Sequence, residues 1–295
     1  MKILLIGSTG QVGWELLRTL MPLGDVIAVN RNQADLSDLN SIKALIRQQK
    51  PDVIVNPAAY TSVDKAETGQ AQAFLINAEA PGVLAEEALK CGALLLHYST
   101  DYVFNGSKDA PYVESDAADP INVYGQSKLA GEKAIQDING DYVILRTSWV
   151  YASRGNNFLK TILRLAAERE ELKIVADQIG APTWARLIAE VTAHVVKQSL
   201  KERREDAFSS GLYHLTSSGA ASWYDFAQKI VDFIKQNELM ALKNKIIKPI
   251  PTTDYPLPAK RPANSRLSCA RLEQQFGLTL VSWDNALKLC MQELS

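Results

Sequence analysis

Cysteine is scarce and scattered in this sequence. The three thiols, Cys91, Cys269 and Cys290, form no CxxC pair, no cysteine–histidine ligand spacing and no even-numbered set. That pattern argues against a disulfide framework and against a zinc site, and it fits a reducing compartment. Net charge is nearly absent as well. The 32 Lys and Arg residues face 33 Asp and Glu, leaving −1. No bulk field draws such a chain to nucleic acid or to an anionic membrane. No apolar stretch approaches the ~20 residues needed to span a bilayer. The opening run from Lys2 to Gly7 is too short for a signal-peptide core and reads as a buried strand. Internal repeats and low-complexity tracts are also missing. These features predict a cytoplasmic protein with neither nucleic acid nor membrane as its partner.

What is present is an alternation of short apolar runs and amphipathic stretches. Hydrophobic residues make up 46% of the 295, enough for a sizeable core. Continuous apolar runs at Ile3–Ile6, Val26–Val29, Val53–Val55, Ala93–His97 and Tyr142–Leu145 suit parallel strands buried on both faces. Between them, Gln11–Leu20 and Leu39–Gln49 carry helical spacing, and Ala71–Leu89 predicts a long alanine-rich helix interrupted near Pro81. This order predicts an α/β fold, a Rossmann-type doubly wound parallel sheet over residues 1–150. Beyond residue 150 the alternation loosens. Helices are expected over Phe158–Ala167, Leu187–Leu200 and Trp223–Ile234, with a short strand at Leu212–Leu215. A proline-rich stretch follows at Pro249, Pro251, Pro256, Pro258 and Pro262, where regular structure is resisted. We expect residues 151–295 to form a smaller C-terminal substrate-binding lobe, partly interleaved with the first domain, some of its segments returning to the sheet.

The first strand runs into Gly7-Ser-Thr-Gly10-Gln11-Val12-Gly13 and then directly into a helix. Glycines allow a tight turn and a close approach to a pyrophosphate, and the helix N-terminus offers free N–H groups and positive dipole character. The spacing is GxxGxxG, and its strand–loop–helix setting is what gives it weight. At the second strand end, an acid would bind a ribose diol. Here Asn30 is neutral and Arg31 can meet a 2′-phosphate, which favours NADPH while leaving NADH open. Asp35 and Leu36 stand where an adenine-contacting pair is expected. Ala58, Ala59 and Tyr60 follow the third strand, where small residues let a cofactor pass close to the backbone.

Tyr124-Gly-Gln-Ser-Lys128 places a phenol and an ammonium four residues apart, on one face of a helix. A free tyrosine has a pKa of about 10 and is a poor acid near neutrality. A neighbouring ammonium is expected to lower it and also to hold ribose hydroxyls. Tyr124 would then protonate the oxygen formed when hydride reaches a carbonyl carbon. Ser99-Thr100-Asp101 follow an apolar strand, and ligands of open α/β sheets bind at strand carboxyl ends. The Thr100 hydroxyl, with Ser99 second, is placed to polarise that carbonyl. Tyr124, Lys128 and Thr100 form the expected catalytic set.

These motifs resemble those of the extended short-chain dehydrogenase/reductase superfamily, and more narrowly of the dTDP-4-dehydrorhamnose reductases. The resemblance rests on the glycine loop, Val63-Asp-Lys-Ala-Glu67, Ser99-Thr-Asp-Tyr-Val-Phe104, Tyr124-Gly-Gln-Ser-Lys-Leu-Ala-Gly-Glu132 and Arg146-Thr-Ser-Trp-Val-Tyr151. It continues through Gly155-Asn-Asn-Phe158, Asp177-Gln178, Gly180-Ala-Pro-Thr183 and Arg261-Pro-Ala-Asn-Ser-Arg-Leu267. It implies a dTDP-linked 4-keto-6-deoxy sugar as substrate, reduced at carbon 4. It further implies that Asp101 and Trp149 line the sugar site. Asn157 and the segment from Arg261 to Arg266 would face the nucleotide diphosphate. Some members of the family join subunits through magnesium held by glutamates. Here Arg186 follows Gly-Ala-Pro-Thr where an acid is expected, beside Glu15 and Glu293, so no metal is expected and a homodimer is left open.

Two rivals share the scaffold. One is a sugar-nucleotide epimerase or dehydratase; dehydration would need a second acid beside the strand-end hydroxyl, but Asp101 is followed by Tyr102. A non-catalytic NADP-binding regulatory subunit would have no use for an intact Thr100, Tyr124 and Lys128.

Overall fold

The computed structural model describes residues 1–294. Six described strands form its main sheet: β1 (Lys2–Ile6), β2 (Asp25–Val29), β3 (Val53–Asn56), β4 (Leu94–Thr100), β5 (Tyr142–Thr147) and β6 (Gly211–His214). All are parallel, in the order β6-β5-β4-β3-β1-β2. The apolar runs become strands because neither sheet face meets water. Ile3, Leu5, Val53, Val55, Leu94, Leu96, Val143 and Leu145 feed one core cluster. Leu4, Ile6, Ile54, Leu95 and Ile144 feed the other. Each such side chain contributes roughly 1.5–3 kcal/mol on full burial.

Helices α1 (Gln11–Leu20), α2 (Leu39–Gln49), α3 (Ala80–Cys91) and α4 (Val123–Asp137) connect the first five strands. α1 buries Leu16 and Leu20 on the first face, whereas α2, α3 and α4 bury Ile42, Leu84 and Ile135 on the second. The chain leaves β1 for β2 on one side and returns to β3 on the other. The carboxyl ends of β1 and β3 therefore flank a topological switch point, where open α/β sheets bind ligands.

The segment expected as one helix over Ala71–Leu89 is Gln70–Phe74, a π-helical turn at Leu75–Glu79 and then α3. The irregularity lies just before Pro81, not at it. Pro81 has no N–H to give the Asn77 carbonyl, so the backbone widens there. That bared carbonyl is where α4 docks: a Cβ on Gly131 would lie 2.0 Å from Asn77 O, so only glycine lets the helix approach. β4 also runs further than its apolar core predicts, carrying Ser99 and Thr100 as its last residues.

After residue 150 come α5 (Phe158–Glu168), α6 (Ala185–Arg204), α7 (Trp223–Asn237), α8 (Ala270–Phe276) and α9 (Trp283–Gln292). α6 adds Ile188 and Val195 to the first core cluster, and β6 extends the main sheet beside β5. The remainder is held by three two-stranded pairings. Glu171–Val175 runs parallel to Ile246–Ile250, Val150–Tyr151 runs parallel to Thr183–Trp184, and Ile179–Gly180 pairs antiparallel with Ala221–Ser222. No helix among the described residues is long and apolar enough to cross a membrane.

Candidate active site

A cleft of about 480 Å³ opens over the switch point. Gly7, Gly10, Gln11, Val12 and Gly13 line one wall, with Ala58 and Ala59 opposite. The glycines are structural requirements. Gly7 sits at φ +77 against the Ala58 methyl, and a Cβ on Gly13 would fall 2.1 Å from Gly7 O. Gly10 caps α1 without a side-chain hydrogen bond, which leaves the first N–H groups of the helix for an anion. Arg31, Asp35 and Leu36 form the far end. Arg31 is exposed and paired with Asp35 at 3.2 Å, and Asp35 also accepts from Ser37. Those hydrogen bonds, from Ser37 first, hold the Asp35 carboxyl below its ordinary value.

Two residues expected in this cleft do not line it. Asn30 is spent on its own turn, its N–H donating to Gln33 Oε1 and its Oδ1 accepting from Asn32. Tyr60 exchanges backbone hydrogen bonds with the Asn77 amide while its ring packs into the core. Sequence proximity to Ala58 and Ala59 suggested otherwise, but Ala59 and Thr61 line the cleft while Tyr60 between them packs into the core.

At the inner end stand Tyr98, Ser99, Tyr124 and Lys128. Asn122 caps α4 by accepting from Gly125, and Glu67 accepts from the Val123 N–H, so the first turn carrying Tyr124 is fixed from two sides. Thr100 donates to Asp101 Oδ1 at 3.0 Å. Burial pushes the Tyr124 phenol up to about 12, against the pull of its hydrogen bond to Thr100 and with the Asp101 carboxyl adding to the rise. The expected lowering by Lys128 is not seen. Lys128 Nζ donates instead to Tyr98 O at 2.6 Å and lies 3.1 Å from His97 Nε2. Burial also pushes Lys128 down, to about 8. Asp101 is buried with Oδ2 unpartnered among the described residues, and desolvation raises it to about 7.

A second cavity of about 990 Å³ lies beyond Tyr102, between α5, the Glu171–Val175 pairing and residues 250–261. Its apolar floor includes Phe158, Ile162, Leu172, Ile174 and Trp223, and Arg169, Lys260 and Arg261 supply positive charge. Arg261 is gripped bidentately by Asp64, at 2.7 and 2.6 Å. That side-chain hydrogen bond from Arg261 holds the Asp64 carboxyl below its ordinary value. Trp149 stacks face to face on Trp223 at 3.5 Å and holds φ +46, a left-handed backbone that a tryptophan rarely adopts.

Three expected groups have other work in this structure. Asn157 caps α5 and donates to Gln11 Oε1 at 2.7 Å, tying the lobe to the glycine loop without lining either cavity. Arg266 lines neither cavity. It bonds Asn264 Oδ1 and the Asp109 carbonyl and so braces the loop before Tyr112. Arg186 lies between Glu15 and Glu293, at 3.2 and 2.6 Å, with its guanidinium between the two acids. Conversely, Asp64, Glu67 and His97 hold the site together without having been singled out for any role. Asp64 and Glu67 belong to the Val63–Glu67 motif, and their partners lie 197 and 56 residues away.

The RmlD substrate binding domain family matches residues 1–295. A dTDP-4-dehydrorhamnose reductase of Burkholderia thailandensis is 52% identical over 295 residues, covering 100% of this chain and 99% of that protein. One from Escherichia coli K12 is 48% identical over 298 residues, covering 100% and 98%. Among solved structures, a dTDP-4-dehydrorhamnose reductase from Bacillus anthracis in complex with NADP superposes with a TM-score of 0.90 at 33% identity, covering 99% of each chain. A UDP-glucose 4-epimerase of Thermus thermophilus, with NAD, shares the fold at TM-score 0.79 and 18% identity, covering 100% and 99%. The chain belongs to the RmlD substrate binding domain family, together with the dTDP-4-dehydrorhamnose reductases of these organisms.

Proposed function

We propose that this protein reduces dTDP-4-dehydro-L-rhamnose at carbon 4 to dTDP-L-rhamnose, with NADPH as reductant and Tyr124 as proton donor. The observation that carries the reading is the position of Thr100, Tyr124 and Lys128. Tyr124 and Lys128 stand at the inner end of a glycine-loop cleft, with Thr100 behind Tyr124 rather than in the lining, and next to Tyr102, which borders a second, cation-rimmed cavity. The relatives and the NADP-bound neighbour support the same substrate and cofactor.

The cleft fits a dinucleotide. The Gly7–Gly13 cradle closes if any side chain is added at Gly13, and the uncapped α1 N-terminus faces the same space. Arg31 is the group for a 2′-phosphate. When bound, the nicotinamide supplies hydride to the keto carbon. The protein's own residues do the rest. Tyr124 holds its proton firmly at neutral pH, because its phenol lies near 12. It yields that proton only to a stronger base, the alkoxide that develops as the carbonyl is reduced. Thr100 stands between Tyr124 and Asp101, and it shares the polarisation of that oxygen only by turning its hydroxyl proton from Asp101 Oδ1 to the substrate. Residues after 150, apart from α6 and β6, which join the sheet, form the substrate lobe. Arg261, held by Asp64, grips the diphosphate, and Trp223 walls the sugar site, backed by Trp149, which itself lines neither cavity. Both clefts are lined by residues of one chain, so the reading works for a monomer or a homodimer. We place the enzyme in the cytoplasm, where its thiols stay reduced.

The test is optical. Wild-type protein oxidises NADPH in the presence of the keto-sugar nucleotide, and faster than NADH at equal concentration. Tyr124→Phe lowers kcat by about 10²–10⁴-fold while the cofactor Kd stays within twofold. Near-normal turnover by that variant removes Tyr124 from the role.

A further inference from the structure

Beneath Lys128 lies a buried chain of polar groups that the proposed chemistry does not use. His97 of β4 and Asn56 of β3 are direct partners across the parallel register. Both are essentially without solvent contact, as is Lys128 above them. Asn56 Nδ2 is 3.2 Å from His97 Nδ1, and His97 Nε2 is 3.1 Å from Lys128 Nζ. Asn56 Oδ1 accepts the Ala58 N–H at 3.2 Å.

The hydrogen-bond roles follow from that last contact. The Ala58 N–H can only donate, so the oxygen of the Asn56 amide must face it. The amide NH₂ then faces His97 Nδ1, which must accept. The single proton of a neutral imidazole is thereby sent to Nε2, where it points at Lys128. Burial strongly disfavours the imidazolium, with the nearby lysine adding to the effect.

We infer that His97 is a positioning residue for the Tyr124–Lys128 pair: with its ring proton fixed on Nε2 by Asn56, it donates to Lys128 Nζ and holds the free-amine form of the lysine against Tyr98 O. This rests on the reading of Lys128 as the partner of Tyr124. An amine in that place donates to Tyr98 O, accepts from His97 and keeps one N–H for a ligand. An ammonium would have to donate to Nε2, driving the ring proton to Nδ1. Asn56 could then accept it only by turning over and releasing the Ala58 N–H. Ala58 lines the cleft and abuts Gly7, so the charge state of Lys128 is coupled to the wall on which the cofactor lies. The titratable and charged groups around Lys128 are His97 of β4, and Tyr124 and Glu132 of its own helix. Glu132 favours the ammonium but is itself held bidentately by Arg146 of β5. The π-helical turn packed on α4 presents Asn77, whose amide bonds Ser127. Tyr98 contributes its carbonyl, while its hydroxyl is engaged with Thr192.

The chain has three histidines, His97, His194 and His214, so ring ¹⁵N spectra of the intact protein are readily assigned by substituting His194 and His214 in turn. The expected spectrum at pH 9 shows His97 as a neutral ring protonated at Nε2. Protonation at Nδ1 at that pH overturns the inference. As pH falls through the titration of Lys128, the ring is expected to stay neutral while its proton crosses to Nδ1. Asn56→Asp supplies a second test, since a carboxylate accepts from both the Ala58 N–H and Nδ1–H. That variant locks the opposite tautomer and moves the kcat/KM limb belonging to Lys128 upward by about one pH unit or more. An unmoved limb in the folded variant also overturns the inference, and should the variant fail to fold, the wild-type spectrum decides. Lys128→Met separates the two readings. If it retains turnover, the pairing with Tyr124 falls, whereas the His97 tautomer is read without turnover.

Discussion

Gly13→Ala tests the cofactor cradle most directly. The added methyl would lie 2.1 Å from Gly7 O, 2.9 Å from Gly7 C and 3.0 Å from Ser8 Cα. All three are backbone atoms, so no rotamer change relieves the overlap. The first turn of α1 must move away from the loop by about 1 Å to restore an ordinary contact, and Gly7, at φ +77 against Ala58, has little room to yield. Overpacking of this kind costs about 1–3 kcal/mol, or about 2–5 °C in melting temperature for a chain of this size. A misplacement of that size at the reacting groups costs on the order of 10²-fold, and a similar loss is expected in cofactor affinity. Gly10→Ala is the control for the fold, because its methyl meets only Gly7 O, at 3.4 Å. Thermal melts and NADPH titrations followed by fluorescence give both quantities. Gly13→Ala with a wild-type melting temperature and a Kd within twofold would refute the cradle argument.

Further outcomes follow from the buried charges. Asp101 keeps its proton up to about 7 because of burial, whereas an unfolded aspartate releases it near ~3.9. Its contribution favours folding below about 4 and is lost as pH rises through 7. Asp101→Asn should therefore gain melting temperature relative to wild type at pH 8 compared with pH 4, and a pH-independent difference would contradict this. His214 behaves in the opposite way: burial first, then Arg146, lowers it to about 3, and neither ring nitrogen has a hydrogen-bond partner among the described residues. Stability present above the unfolded value of about 6.5 is lost as pH falls towards 3. His214→Phe should flatten the acid limb of a melting-temperature profile, and an unchanged limb assigns acid sensitivity elsewhere. Asp64→Asn keeps the shape beside Arg261 but removes the charge. Substrate KM is expected to rise about tenfold, for a loss of about 1–2 kcal/mol at a partly exposed pair, with kcat changed less. An unaltered KM takes Arg261 out of the diphosphate grip.

The sheet was legible because strands buried on both faces must be continuously apolar, and Ile3–Ile6 or Val53–Val55 admit little else. The glycine loop was legible because its constraint is local, with Gly7 and Gly13 only six residues apart. Tyr124 and Lys128 were legible as a pair by helical spacing, yet their electrostatics were not. The partner Lys128 of α4 takes is His97, on strand β4, and no spacing rule connects them. The same limit explains Asn157 and Arg266, whose residue types suggest phosphate contact but whose polar atoms are used by Gln11 and Asp109. It also explains why the grip of Asp64 on Arg261 was missed. Partners far apart in sequence meet only once the fold exists.

That grip bears on which part of the chain completes each cavity. The six strands of the main sheet and the residues lining the first cleft all lie within residues 1–214, although the core on one sheet face draws on later helices. The wall of the second cavity is not so contained, because residues 259–268 are laced back into the first half. Arg261 reaches Asp64, the Lys260 carbonyl receives Asn122, and the Arg266 carbonyl receives the Tyr112 N–H. A chain short of this strap contains every residue that lines the first cleft yet lacks Lys260 and Arg261, two of the cations on the rim of the second cavity. The last eighth of the chain thus closes a wall that the preceding residues leave open.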